Sequence, residues 1–95
     1  NFALRMFELE PGGFTPYHIH NWEHEVFILQ GTGLLVTADG EKVFQQWDVI
    51  YTDPNMYHQF RNSGDTVLRF LCAIPYNIKS KETKNPLGDK PVNNC

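Results

Sequence analysis

Turn signals break this chain at intervals too short for helices, and that punctuation decides its fold class. Pro11-Gly12-Gly13, Gly31-Thr32-Gly33, Asp39-Gly40 and Asn62-Ser63-Gly64-Asp65 stand between short apolar runs. Gly, Pro, Asn and Asp cluster where a backbone must turn. No stretch sustains the 3.6-residue periodicity of an amphipathic helix. Strands are expected over residues 2–10, 24–30, 49–51, 58–61 and 66–74, with a second, irregularly started strand over 14–20 because Pro16 has no N–H to give a ladder. Residues 34–38 and 41–46 flank Asp39-Gly40, a hairpin signal. Many short strands with close turns predict an all-β, antiparallel barrel or jelly roll.

Ninety-five residues, 41 % of them hydrophobic, suit one small domain with a real core. We place the barrel in residues 1–75. Residues 76–95 are a polar C-terminal tail, expected on the surface or wrapped around a partner subunit. In 24–30, Val26, Phe27, Ile28 and Leu29 are all apolar, so both faces of that strand are expected to be buried. One face would line the barrel and the other would need a cover, which predicts a homodimer. A net charge of −3 gives no nucleic-acid footprint. No apolar run reaches membrane-spanning length, and no signal peptide is visible. The chain begins at Asn1 and opens directly on a strand pattern, so a preceding segment is expected to be missing. Two cysteines, Cys72 and Cys95, do not make a disulfide framework, and a reducing, cytoplasmic setting is expected.

The histidines are clustered. His18, His20 and His24 fall within seven residues, and the fourth, His58, follows Asp53-Pro54-Asn55-Met56-Tyr57. On a strand, residues two apart point to one face, so His18 and His20 can aim at one point without distortion. Imidazole is the commonest metal ligand. The four together predict a metal centre closed by His58 from a distant strand. A shift of one residue would put Glu25 in place of His24.

These residues resemble the cupin superfamily. Gly12, His18, His20, His24 and Gly31 are spaced as in its first motif, G-x5-H-x-H, then after three or four residues a Glu, then six residues and Gly, with His24 standing in place of the usual Glu. Asp48, His58 and Asn62 follow its second motif, with Trp47 at the opening Gly, the proline one place late at Pro54 and Asn55 at the second Gly. The resemblance runs from Phe2 to Pro75 and is closest to small single-domain cupins (monocupins) that bind manganese through four histidines. It implies a double-stranded β-helix, the jelly-roll cupin barrel. It also implies one divalent ion, Mn(II) or Fe(II), with zinc, nickel or copper as other ions imidazole accepts, and a cavity bordered by the segment from Phe70 to Pro75.

Four neutral imidazoles leave a +2 ion uncompensated, so a small anionic or enolic substrate is expected. A tetrahedral four-histidine site would instead be structural. Parity puts Phe70, Cys72 and Ile74 on one face of the last strand and Phe60 two residues after His58, which nominates Phe60, Phe70 and Ile74 as pocket wall. Cys72 as a thiol beside the metal and Arg5 as a cation at the pocket mouth are the candidate catalytic residues. Glu23 and Glu25 are either acceptors for an imidazole N–H or solvated corner charges. The expected activity is a dioxygenase-like oxidoreductase. The alternatives are a non-redox isomerase, lyase or sugar-acid-processing cupin, or a non-catalytic small-molecule-binding module.

Overall fold

Along the last long strand, buried and half-exposed side chains alternate without a break from Leu68 to Pro75, the period-two signature of a sheet with one face on a core. The computed structural model describes residues 1–75 and one two-residue strand beyond them. Its strands are β1 (Phe2–Leu9), β2 (Ile19–His20), β3 (His24–Gln30), β4 (Thr32–Thr37), β5 (Gly40–Gln45), β6 (Val49–Thr52), β7 (His58–Asn62), β8 (Leu68–Pro75) and β9 (Thr83–Lys84). Among the described residues there is no helix, and so none long and apolar enough to cross a membrane.

One antiparallel sheet has the order β1-β8-β3-β6 and a second has the order β5-β4-β7. This is the all-β, two-sheet jelly roll that the turn spacing predicts. The sheets meet through Phe60 of β7 and Phe70 of β8, whose ring centroids are 5.2 Å apart. Phe7 stacks on Phe70 at 5.4 Å, and Phe44 meets Phe60 edge-on at 6.1 Å. Val26, Ile28 and Leu68 complete this end of the core, all fully buried. Gly33 is required here by space rather than by a turn. A Cβ at that position would fall 2.4 Å from the Phe44 ring and 2.4 Å from the Arg61 carbonyl.

Three expectations are corrected. Residues 14–20 do not form a continuous strand: Phe14 and His18 make isolated bridges to Arg61 and His58, and only Ile19–His20 is a strand. Pro16 has no N–H, and its carbonyl is turned to a side chain. The hairpin turn sits one residue early. Thr37 pairs with Gly40, so Ala38-Asp39 are the loop and Gly40, with φ of 123°, opens the next strand. On β3, Val26 and Ile28 are buried, but Phe27 and Leu29 are only partly so. The expected polar tail, residues 76–95, lies outside the described residues except at β9, which pairs antiparallel with β2 of its own chain, Ile19 opposite Lys84 and His20 opposite Thr83.

Asn62 ties one end of the barrel shut. Its side-chain NH2 donates to the carbonyls of Leu9 and Thr66, at 2.9 and 2.8 Å, and its carbonyl oxygen accepts from the Gly64 amide at 2.9 Å. The opposite end is left to the histidines.

Candidate metal centre

His18, His20, His24 and His58 converge. They come from the bridge before β2, from β2, from the start of β3 and from the start of β7. All four are buried, none more than 2 % exposed. Neighbouring ring centroids lie 4.5 to 5.2 Å apart. Ligand atoms of His18, His20 and His58 all lie within 4.8 Å of one another. Nε2 of His24 is 3.2 Å from Nε2 of His58, close enough for both to share one ion at bonds of about 2.1 Å.

The backbone explains the convergence. His18 and His58 face each other as a doubly hydrogen-bonded pair, His18 N to His58 O at 3.1 Å and His58 N to His18 O at 2.9 Å. The loop that delivers His58 is held by the Asn55 amide, which donates to the His20 carbonyl at 2.7 Å. Asn55 sits in the left-handed region, φ of 62°, which Asn tolerates better than most residues. Tyr17 and Tyr57 stack at 5.4 Å and join the segments before the two facing histidines. His18, in the bridge just before β2, and His20 on it are two apart and bring their rings to 5.2 Å, as their spacing predicts.

Ring orientation is set by main chain. His18 Nδ1 bonds to the Pro16 carbonyl, His20 Nδ1 to the Trp22 carbonyl at 3.0 Å, and His58 Nδ1 to the Met56 carbonyl at 2.8 Å. A carbonyl only accepts, so each Nδ1 carries the proton and each Nε2 presents a lone pair inward. In His18 and His20 that inward Nε2 is buried with no hydrogen-bond partner. Buried polar atoms are normally satisfied, and a cation at the common point satisfies both. Burial pushes His20 down to about 3 and His24 to about 2, with the nearby His58 adding to both; burial also lowers His18. The rings of His18, His20 and His24 are therefore neutral at pH 7, the state that ligates metal. The donor set fits one divalent ion.

The other nominated residues fall as follows. Arg5 is half-buried on β1 opposite Cys72, with its guanidinium 5.3 Å over the Phe7 ring. Burial lowers its pKa, and its charge helps depress His20 and His24, which puts it on the same side of the barrel as the centre. Cys72 Sγ is 3.4 Å from His24 Nδ1, but Cys72 is disulfide-bonded in this structure, which corrects the reading of the cysteines as unpaired and leaves Cys72 no thiol in this state. Phe60 underlies the centre, edge-on to His24 and His58 at 6.3 and 6.1 Å. Phe70 belongs to the core between Phe7 and Phe60. Ile74 lines a cavity of about 210 Å³ with Phe2, Glu23, His24, Glu25, Ala73 and Pro75. Glu25, next to His24 on β3 and so on the opposite face, is exposed, as is Glu23. His24, not Glu25, sets its ring beside those of His20 and His58, at 4.9 and 4.7 Å.

Two contributors escape sequence reading. Trp22 is buried and stacks flat on His20, centroids 4.1 Å apart and planes at 8°. Its position two residues after His20, before a turn, is the one available hint. Thr52 stands directly across from His24 on β6. It is fully buried and its hydroxyl has no partner. Nothing in the sequence marks it.

The barrel and its centre coincide with a known domain. Residues 5–74 match the family model described as Cupin domain. The chain is 34 % identical over 71 residues to the 1-methylthio-D-xylulose 5-phosphate methylsulfurylase of Rhodospirillum rubrum, covering 75 % of this chain and 46 % of that protein. The polyketide cyclase RemF from Streptomyces resistomycificus superposes with a TM-score of 0.78 at 31 % identity, covering 90 % of this chain and 60 % of that one. A predicted oxalate decarboxylase from Thermotoga maritima does so with a TM-score of 0.70 at 32 % identity, covering 76 % and 64 %. The chain thus spans about half the length of the curated relative named here. With the domain match covering most of its length, the chain belongs to the cupin family.

Proposed function

We propose that this chain is the catalytic domain of a metal-dependent enzyme acting on a small anionic substrate. His18, His20, His24 and His58 would hold one divalent ion, with Mn(II) or Fe(II) favoured. The observation that carries the reading is the inward-facing Nε2 of His18 and His20, buried without a partner while each Nδ1 is pinned to a carbonyl. When bound, the ion supplies Lewis acidity for polarising a carbonyl or stabilising an enolate.

The chain's own residues do the rest. Arg5 orients the anionic end of the substrate, reinforcing a centre whose neutral ligands leave the ion's charge uncompensated. Phe60 and the core behind it exclude water from one side of the rings. Ile74 and Pro75 wall the cavity beside His24. The non-redox reading, cyclase-, isomerase- or lyase-like, takes precedence over the oxidoreductase expectation. Its support is the naming of two relatives near 30 % identity as a methylsulfurylase and a cyclase.

The test is reconstitution of the metal-stripped chain with Mn(II), Fe(II) or Zn(II), followed by metal content, anion binding and turnover on enolisable sugar phosphates and keto acids. One ion per chain, and activity retained with redox-inert zinc, is the expected result. Turnover confined to manganese or iron and coupled to oxygen or peroxide consumption would restore the oxidoreductase. Failure to hold any ion would remove the proposal.

A further inference from the structure

Side chains alternate along β6. Val49 and Tyr51 are exposed, Ile50 is half-buried and Thr52 is fully buried. Register sets the last two on the inward face, Ile50 opposite Val26 and Thr52 opposite His24. Directly paired residues hold their Cβ atoms about 4.5–5.5 Å apart, so the Thr52 side chain stands beside that of His24, where the apolar core ends. The chain leaves β6 directly after Thr52, into the loop that delivers His58 and is tied to the His20 carbonyl through the Asn55 amide. Thr52 is thus bracketed by three of the four histidines.

The Thr52 hydroxyl has no hydrogen-bond partner among the described residues. Buried polar groups are normally paired, and an exception calls for a reason. Stability supplies none: valine has the same shape, is at home in strands and buries no polar group. Nor do the imidazoles need the hydroxyl. Three of them set Nδ1 on a main-chain carbonyl, and His24 Nδ1 lies 3.4 Å from Cys72 Sγ. The inward Nε2 atoms are lone pairs suited to an ion. A hydroxyl both donates and accepts, which suits it to an oxygen of a small molecule held at the centre.

Given the metal-dependent enzyme proposed above, we infer that Thr52 is a specificity-determining residue whose hydroxyl binds an uncharged oxygen of the substrate. β1 and β6 are the two edges of one sheet. Arg5, opposite the buried Cys72, faces inward from the first, and Thr52 faces inward from the second. A cation on one side and a neutral hydroxyl on the other select a two-ended ligand. One end is a carboxylate or phosphate, and the other carries a hydroxyl or carbonyl. A plain carboxylate meets only the first requirement. A site that pairs a substrate hydroxyl discriminates against the analogue lacking it, because its own buried group is then left unpaired.

The experiment is titration of the cobalt-loaded chain with glycerate and with propionate, read from the cobalt absorption spectrum. Both are three-carbon carboxylates, and only glycerate carries hydroxyls. The wild type should prefer glycerate. Thr52→Val should weaken glycerate about 10-fold and propionate less than about 2-fold, while Thr52→Ser should hold glycerate within about 3-fold of wild type. All three should carry one ion per chain, and metal-free Thr52→Val should melt no lower than wild type. A wild type that holds no ion would remove the proposed function and this inference together. With the ion bound, Thr52→Val weakening both ligands equally, or neither, would overturn the inference alone. So would a wild type without preference for glycerate, or failure of Thr52→Ser to keep it. Loss of the ion or of metal-free stability in Thr52→Val would also overturn it, by making the hydroxyl a structural support.

Discussion

Removing His58 separates the proposed metal centre from the barrel that carries it. Its ring lies 4.5 to 4.8 Å from those of His18, His20 and His24, so His58→Ala opens the middle of the cluster and deletes one of the proposed ligands. In the intact protein, an ion that binds only the folded state stabilises by RT ln(1 + [L]/Kd), about 2.7 kcal/mol at 100 times Kd. For a domain of this size, about 1 kcal/mol shifts the melting temperature by roughly 4–8 °C, so metal loading should raise it by about 10–20 °C. In His58→Ala the metal-dependent rise should shrink to less than about a third of that, because three-ligand affinity places the same ion concentration near or below Kd. The metal-free variant should still melt cooperatively, since Phe60, Phe70, Ile28 and Leu68 are untouched. The assay is thermal unfolding of the chelator-stripped and metal-titrated forms, alongside metal content after gel filtration. If manganese or zinc raises the melting temperature of His58→Ala as much as that of the wild type, the ion binds elsewhere and the reasoning fails.

Two further outcomes follow from the same geometry. The metal-free chain should lose stability as pH falls below about 6.5, the unfolded pKa of histidine. Unfolding then takes up protons that His20 and His24, held near 3 and 2 by burial and by each other's neighbours, cannot accept in the fold. Linkage over these two groups gives a loss of about 3 kcal/mol between pH 6.5 and 5 and a plateau above pH 7. Urea unfolding at pH 7.5, 6 and 5 reads it directly, and a flat profile would contradict the neutral, buried assignment. Thr52→Val replaces an unpartnered buried hydroxyl with a methyl of the same shape and should stabilise the metal-free chain by about 1 kcal/mol. A comparable loss would show that the hydroxyl makes a hydrogen bond the cluster depends on.

Most strands and the His18/His20 pair were legible for one reason: both obey period two. Alternation along β8, and the spacing of His18 and His20, are local properties that tertiary structure had no cause to override. What escaped was set by partners distant in sequence or by main-chain groups. Residues 14–20 read as a strand by composition, yet Pro16 and the turn of its carbonyl toward His18 broke the ladder. Glu25 could not be separated from His24 without knowing where β3 begins; once it begins at His24, alternation sends Glu25 outward. Thr52 acquires its place only by lying opposite His24, a pairing no local pattern encodes.

Three of the four imidazoles are aimed by carbonyls that lie two residues away in their own segment, Pro16, Trp22 and Met56. Side-chain replacement leaves a peptide oxygen in place. The aim of these rings is therefore shielded from point mutation in a way that carboxylate-supported ligands are not. Drift at positions 16, 22 and 56 can change packing around the rings while the oxygen that holds each proton stays put. Adjusting the centre's affinity by evolution or by design then falls to the residues around the rings, such as Phe60, Thr52 and the indole of Trp22, or to reshaping the loops themselves.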